Sequence, residues 1–280
     1  MTPQAQPSLD VRPSPIAGQW YPGDPARLAA TVDRYIAEAQ VPPIRGRIVG
    51  VQAPHAGHRY SGPVAGYAFK VVQGLQVDVV ALVGPSHYPY RAPVVTTGHA
   101  AYETPLGRVP VAHELLADLQ RAVPIVAVRD DPEHSLEIEL PFLQRTLGTF
   151  RLLPLALIDQ SLSMAQMLGA ALAELLRGQR ALLVASSDLS HFYPQQIAEQ
   201  LDRRVLDAIA RFDPAGVIAA EADGHKIACG HGAIATVMIA AKALGADTAQ
   251  VLHHATSGDA TRDYRRVVGY SAAVFYERDA

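Results

Sequence analysis

The sequence predicts an α/β protein, a three-layer α/β/α sandwich in which helices cover both faces of a mostly parallel, mixed sheet. Short β-branched runs at 47–51, 77–83 and 181–185 have the length and composition of strands. Strands that alternate with helices run parallel, and their continuous apolar character indicates burial on both faces. With 280 residues, of which 49% are hydrophobic and 18% charged, the chain can form a large core.

The first helix has the clearest boundary signals. Asp24 occupies the N-cap position and Pro25 the first helical position, apolar residues follow at helical spacing, and Pro42 and Pro43 end the helix. The same patterns predict further strands at 151–158, 250–254 and 267–276, and further helices at 64–73, 132–147, 162–177, 195–211 and 232–244.

Composition limits the organisation and the partners of the chain. Because there is no repeat, low-complexity linker or change of composition, we expect a flexible segment at 1–11 and one domain at 12–280. A net charge of -3 gives no reason to expect nucleic acid or an anionic membrane as a partner. No apolar run reaches the ~18 residues of a membrane helix, and the N-terminus lacks a signal-peptide core. We therefore expect a cytoplasmic protein.

Three predicted strands are each followed by a histidine. His55 follows the first strand, His87 the second, and Asp188 and His191 the third. Ligands of parallel sheets bind at the carboxyl ends of the strands, so these side chains should lie near one edge. One such histidine is more often structural, but three from separate strands match the way in which metal ligands converge.

Cys229 is the only cysteine, which excludes an internal disulfide and a multi-cysteine zinc site. It precedes a predicted apolar helix, and a helix N-terminus favours the thiolate. We therefore expect its pKa to lie below the ordinary value of ~8.5. The alternative is an inert buried cysteine, and Gly230 and Gly232, which follow it and permit close approach of a ligand, favour function.

A fourth polar segment begins at Pro132, which suits the first turn of a helix. His134 and Glu137 would then share one helix face, where they could orient other side chains or transfer protons. An ordinary solvated first turn explains the same residues equally well. Thr104 to Gly107 reads as a tight turn.

In this order, these segments resemble the Memo family, whose bacterial and archaeal members are often called AmmeMemoRadiSam system protein B. The resemblance runs from about residue 12 to about residue 276, and the order and spacing of its short motifs make it specific. The motifs are AGQWYP (17–22), APHAG (53–57), YSG (60–62), GPSH (84–87), TPLG (104–107), EHSLE (133–137), LPF (140–142), SSDLSH (186–191), CG (229–230) and VVGY (267–270).

The resemblance implies a fold similar to that of the extradiol, non-haem iron catechol dioxygenases. It also implies a metal or redox site formed by His55, His87 and Cys229, with Asp188 and His191 lining the same cleft. His58 departs from the family, which usually has an aromatic residue there, and it could add a ligand or face solvent. Radical SAM and AMMECR-type proteins are the partners that the family's genomic association suggests.

Three functions remain open from the sequence. The first is a metal-dependent oxidoreductase with one first-row transition metal, iron or copper favoured and zinc possible, in which Asp188, His191, His134 and Glu137 are the candidate catalytic residues. The second is a non-enzymatic module that binds a metal, a small molecule or a phosphopeptide in the same cleft. The third, ranked last because no GxSxG motif is present, is hydrolysis with Cys229 or Ser187 as nucleophile.

Overall fold

The computed structural model describes residues 10–221, 224–225 and 227–279. Its strands are β1 (Val11–Arg12), β2 (Gly46–Ala53), β3 (Val79–Pro85), β4 (Val94–Thr97), β5 (Ala101–Thr104), β6 (Gly107–Pro110), β7 (Ile125–Val128), β8 (Arg151–Leu157), β9 (Ala181–Ser186), β10 (His191–Tyr193), β11 (Thr248–Thr256) and β12 (Val267–Arg278). Its helices are α1 (Pro25–Glu38), α2 (His58–Val71), α3 (His113–Gln120), α4 (Leu140–Leu147), α5 (Leu162–Leu176), α6 (Gln195–Ala210), α7 (Pro214–Ala219), α8 (His231–Ala243) and α9 (Ser257–Thr261), and a 3₁₀ turn at Glu137–Glu139 precedes α4.

The main sheet is mixed, as predicted. Across the described part of the chain its order is β10-β12-β2-β9-β3-β8-β4-β7, and β11 also pairs with β12. The central strands β2, β9, β3 and β8 are parallel, whereas β12 and β4 join them in antiparallel pairs. A second, smaller sheet contains β1, β5 and β6. Because β2, β9 and β3 are parallel neighbours, the residues that follow them meet at one edge of the sheet.

Helices lie on both sides of this sheet. On one side α2 packs against β2 and β12, and α1 and α4 pack against α2. On the other side α8 packs against β2, β9 and β3, and α5 packs against α8. Every residue of β3 is buried, which is typical of a strand covered on both faces. The predicted three-layer α/β/α architecture is therefore confirmed.

Helix α1 shows how the sequence specifies one of these layers. The Asp24 side chain accepts a hydrogen bond from the Arg27 N–H at 2.8 Å, and Pro25 begins the helix. Leu28 and Val32 lie on its buried stripe, and burying such a side chain stabilises the fold by about 1.5–3 kcal/mol. The helix ends at Glu38, before the predicted stop at Pro42.

Two helices begin at other residues than the apolar pattern predicts. Helix α2 begins at His58 and contains Pro63. It packs closely on α1, since a Cβ on Gly62 would come within 2.4 Å of the Tyr35 ring. This packing outweighs the low helix propensity of the glycine and the proline. The helix predicted from residue 132 begins only at Leu140, after the 3₁₀ turn. Residues 132–136 are not helical, since the Glu133 carboxylate accepts hydrogen bonds from nearby backbone N–H groups.

The remaining local predictions concern a turn, the N-terminus and membrane spans. Thr104 and Gly107 flank the tight β5–β6 turn, with Gly107 at φ +118. Of the predicted flexible segment 1–11, residues 1–9 lie outside the described residues. Of the last two, Asp10 accepts a hydrogen bond from Arg129 and Val11 pairs with Ala101, and the bounds of the segment and of the domain stay a prediction. No helix in the described ranges has the length and apolar character needed to cross a membrane.

Candidate metal centre

The cluster forms where the parallel strands end. His55 follows β2, His87 follows β3, and Asp188 follows β9, while Cys229 precedes the N-terminus of α8. Gly230 makes the close approach of α8 possible, because a Cβ there would lie 2.5 Å from the Ser186 carbonyl oxygen. Its N–H donates to Ser187 Oγ at 2.9 Å, which fixes the backbone beside the cysteine.

Three side chains bring ligand atoms to a single place. One ligand atom each from His55, His87 and Cys229 lies within 4.8 Å of the other two. His55 Nε2 and Cys229 Sγ are 3.1 Å apart. The imidazoles of His55 and His87 are edge-on, with ring centroids 5.3 Å apart. Two nitrogens and one sulfur, drawn from three separate elements, are a donor set that could hold a transition metal.

His55 is held so that one ring nitrogen is free. Its Nδ1 lies 3.0 Å from Ser186 Oγ, and that hydroxyl lies 2.8 Å from Glu139 Oε1 and 2.6 Å from the Ser135 carbonyl oxygen. Since the Ser135 carbonyl can only accept, the hydroxyl donates towards it and accepts from Nδ1–H of His55. The lone pair of His55 therefore resides on Nε2, the atom that faces Cys229.

Glu133 performs the same task for His87. Its Oε1 accepts from His87 Nδ1 at 2.9 Å, and its two oxygens also accept from the backbone N–H groups of His87, His134 and Ser135. Burial opposes ionisation of Glu133, but these hydrogen bonds outweigh burial and hold its pKa well below the usual range. An ionised carboxylate that fixes the proton on Nδ1 leaves Nε2 of His87 available for a metal.

His134 completes an imidazole stack beside the three candidate ligands. Its ring lies over that of His87, with centroids 4.6 Å apart and planes 19° apart, and Trp20 packs on it at 4.2 Å. His87, Glu133 and His134 also bring ligand atoms within 4.8 Å of one another. Because both oxygens of Glu133 already accept hydrogen bonds, we assign this second group to positioning His87.

Asp188 contacts the backbone of His55 and is 4% exposed. Its Oδ1 accepts from the backbone N–H groups of His55 at 2.7 Å and Ala56 at 3.2 Å, so it fixes the chain at the ligand. Burial raises the pKa of Asp188 to about 7 against the opposing effect of these hydrogen bonds. A carboxyl with this pKa can gain or lose a proton near neutral pH.

Three imidazoles at the cluster, those of His55, His134 and His191, are neutral at pH 7 in the metal-free protein. Burial lowers the pKa of His55 far below its ordinary value, with smaller contributions from His134 and His87. Burial also lowers the pKa of His134 to about 4 and depresses that of His191. For His87, burial acts downwards, but the hydrogen bond to Glu133 outweighs burial and raises its pKa. Neutral imidazole is the form that binds metals.

The expected low pKa of Cys229 is wrong for the metal-free protein. Burial raises the pKa of the thiol well above its ordinary value, and the Asp188 carboxylate adds to the rise. The helix N-terminus does not compensate, because the half-buried sulfur is poorly hydrated and lies close to the Asp188 carboxylate. The thiol proton is directed at the Asp188 carbonyl oxygen, 3.7 Å away, or at the free nitrogen of His55.

Two sequence-predicted site residues lie outside the cluster. Glu137 contacts Arg12 and Tyr21 at 2.6 and 2.7 Å in a buried ion pair that ties the N-terminal segment to the domain. It does not share a helix face with His134, since residue 134 precedes the helix. His191 begins β10, close enough for its charge to influence the pKa of His55. The catalytic roles of both residues stay predictions.

His58 and Ser187 are both buried, and their side chains make hydrogen bonds to backbone groups. His58 neither faces solvent nor reaches the cluster, because it is 2% exposed and its Nε2 donates to the Ile138 carbonyl oxygen at 3.0 Å. The Ser187 hydroxyl accepts from Gly230 N–H and donates to the Asp188 carbonyl at 2.8 Å. It is wholly buried, which argues against Ser187 as a hydrolytic nucleophile.

Sequence reasoning missed three residues that support the ligands, namely Glu133, Glu139 and Ser186. Glu133 stands in the EHSLE motif and Ser186 in SSDLSH, so both motifs gave a signal, but nothing in the sequence indicated which histidine each one contacts. Glu139 is wholly buried, and its Oε2 has no hydrogen-bond partner among the described residues. Burial raises its pKa well above the ordinary value, which favours the neutral acid.

The fold and the cluster together define a class of protein, a three-layer α/β protein with a histidine–cysteine group at the carboxyl ends of its central strands. The family model described as Memo-like protein matches residues 12–274. The chain belongs to the Memo-like family.

Similar proteins come from archaea and bacteria. A MEMO1 family protein of Nitrosopumilus maritimus is 36% identical over 95% of this chain and 99% of its own length. One of Thermotoga neapolitana is 35% identical over 94% of this chain and 99% of its own. A crystal structure of an uncharacterized protein from Escherichia coli K12 superposes with a TM-score of 0.50 and 13% identity, covering 81% of this chain and all of that one. That structural likeness supports the fold alone.

Proposed function

We propose that the chain is a metal-dependent oxidoreductase that holds one first-row transition metal, iron or copper in preference to zinc, on His55, His87 and Cys229. The observation that carries the proposal is the set of three ligand atoms within 4.8 Å of one another, with Nδ1 of both histidines already hydrogen bonded. Fixed imidazole orientation of this kind is typical of metal sites.

The spacing of these atoms is close to that of ligands on one metal ion. Two ligands bound to one tetrahedral ion at ~2.0–2.3 Å lie roughly 3.3–3.8 Å apart. The His55 Nε2 to Cys229 Sγ distance of 3.1 Å is slightly shorter than this range. All three ligand atoms lie within 4.8 Å of one another. Three protein ligands leave coordination positions open, at which bound iron or copper would supply one-electron chemistry.

The surrounding residues supply proton transfer and positioning in this proposal. Asp188, with its pKa near 7, exchanges a proton beside the His55 backbone. The neutral imidazoles of His134 and His191 accept protons. Cys229 loses its proton when a metal binds, because the thiolate is the form that coordinates.

The decisive experiment is metal analysis of untagged protein purified without oxygen. We expect about one equivalent of iron or copper per chain. The variants His55→Ala and Cys229→Ser should each lose it, whereas His113→Ala, at an exposed position, should keep it. A metal content unaffected by the first two variants, or no binding after reconstitution with Fe(II) and Cu(I), would contradict the site.

A second measurement separates an enzyme from a binding module. The metal-loaded protein is supplied with ascorbate as a reductant, and oxygen consumption is followed with an electrode. We expect consumption that depends on the metal and is absent in Cys229→Ser. Stoichiometric metal binding without electron transfer to oxygen, or to a chemical mediator, would leave a binding module and overturn the oxidoreductase.

A further inference from the structure

A second feature adjoins the metal centre, an open cleft of about 550 Å³. We call it the aromatic cleft, because Trp20, Tyr60, Phe192 and Tyr270 form much of its wall, with Arg266 among the lining residues. We propose that the aromatic cleft binds a small molecule that carries an aromatic ring and a carboxylate. That this molecule is the substrate of the metal centre rests on the proposed function, whereas its binding in the cleft does not.

The cleft and the cluster share a wall. Trp20 lines the cleft, and its ring packs against His134 at 4.2 Å. Ala56, also in the wall, directly follows His55 in the chain, and Phe192 directly follows His191. Two residues of the cleft wall are therefore chain neighbours of a candidate ligand and of a candidate acid–base group, and Trp20 contacts both the cleft and His134.

The walls present aromatic rings to solvent. Phe192 is 60% exposed, Tyr60 39% and Trp20 36%, although large apolar side chains are ordinarily buried. Phe192 also has φ +65, a left-handed backbone conformation that is unusual for a bulky residue and that clusters at binding sites. Exposed aromatic rings in the wall of a concave site can bind a flat apolar group by stacking on it.

The positive charge of Arg266 in the cleft wall favours an anionic ligand. The Arg266 guanidinium lies 5.5 Å from the centre of the Phe192 ring, and it forms no ion pair with any acid of the described residues. Asp263, the acidic residue of the wall, is already bound by Arg265 through two hydrogen bonds of 2.9 and 2.7 Å. A guanidinium with unoccupied donors pairs with a carboxylate in a planar, bidentate manner.

The chain contains one tryptophan, so the fluorescence of Trp20 reports directly on the cleft. We would titrate the full chain, as purified and after chelator treatment, with 3-phenylpropionate, 3-phenylpropan-1-ol and 3-cyclohexylpropionate. We expect saturable quenching or enhancement by 3-phenylpropionate, and about tenfold weaker binding of the other two, since each lacks one of the recognised groups. Equal affinity for the alcohol and the carboxylate, or no saturation below roughly 10 mM, would overturn the proposal.

Two neighbouring arginines provide a matched pair of variants. Arg266→Gln should weaken 3-phenylpropionate about tenfold and leave the alcohol unchanged, because only the charged pair is lost. Arg265→Gln removes the same charge one position away, where it pairs with Asp263, and should change neither probe by much. Equal effects of the two variants would show that net charge, and not recognition by Arg266, determines binding.

The two proposals fail separately. Cys229→Ser should abolish metal binding and leave 3-phenylpropionate binding to the chelator-treated protein unchanged. If the metal analysis fails while the probe still binds, the aromatic cleft stands without the oxidoreductase. If the metal binds but no probe does, this inference fails alone.

Discussion

Replacing the buried His58 by phenylalanine should remove a loss of stability at acidic pH. His58 is 2% exposed and packs on Phe142 and Tyr21, with ring centroids 4.9 and 5.3 Å away. Its Nε2 donates to the Ile138 carbonyl, whereas its Nδ1 is buried without a hydrogen-bond partner among the described residues. A proton on Nδ1 would therefore place an unpaired charge in the core.

The magnitude follows from the pKa of His58. Burial lowers this pKa from 6.5 to about 4, partly offset by the hydrogen bond to Ile138. Above pH 6.5 neither the folded nor the unfolded chain binds the proton, so the contribution of neutral His58 is fully present. As the pH falls from 6.5 towards 4 the unfolded chain takes up the proton first, and stability is lost. At ~1.4 kcal/mol per pKa unit the full loss is about 3 kcal/mol, and about 2 kcal/mol falls between pH 7 and pH 5.

The assay is urea unfolding of the wild type and of His58→Phe at several pH values between 5 and 8. Other buried groups titrate in both proteins, so the difference between their free energies of unfolding isolates His58. Near pH 8 we expect the two to agree within about 1 kcal/mol, because phenylalanine fills a similar volume but loses one hydrogen bond. The difference should then shift by about 2 kcal/mol in favour of the variant at pH 5. A difference that stays constant across this range would refute the reasoning, and the exposed His113→Phe serves as the control.

Three further predictions concern the ligands and the packing. Glu133→Gln should lower metal affinity about 10–100-fold in calorimetry, because a neutral amide with one acceptor oxygen replaces the carboxylate whose two oxygens accept from His87, whereas exposed Glu174→Gln should leave it unchanged. In the metal-free protein Cys229 should react with iodoacetamide at pH 7 more slowly than glutathione does, because the raised pKa keeps its thiol protonated; a rate equal to that of glutathione would contradict the assignment. Gly66→Ala should lower the free energy of unfolding by about 1–3 kcal/mol, since its Cβ would lie 2.3 Å from the Tyr35 carbonyl oxygen, and an unchanged urea midpoint would show that the two helices can separate.

Local and periodic signals were sufficient for the layers and for the edge that carries the site. The cap at Asp24 and the apolar runs of β2, β3 and β9 are encoded within short segments, and the rule for parallel strands then places His55 and His87 together. The order of the family motifs added Cys229, which no strand delivers.

What the sequence could not predict depends on contacts between distant segments. Glu133 is 46 positions from His87, and no pattern in either segment indicates that one accepts a hydrogen bond from the other. The pKa of Cys229 was predicted in the wrong direction, because helix position is a local property whereas burial is set by the whole fold. The non-helical start of the EHSLE segment has the same origin, since Glu133 binds backbone N–H groups that a helix would otherwise use.

The separation of the ligands along the chain has a consequence for how the protein matures. His55 and Cys229 are 174 positions apart, so the pair exists only after most of the chain has been synthesised and has closed a very long loop. A nascent or truncated chain that ends before α8 exposes the two histidines but cannot assemble the full donor set. In the proposed metal site, metal binding would thus come late in biogenesis, and a bound ion would further protect the chain from unfolding by mass action.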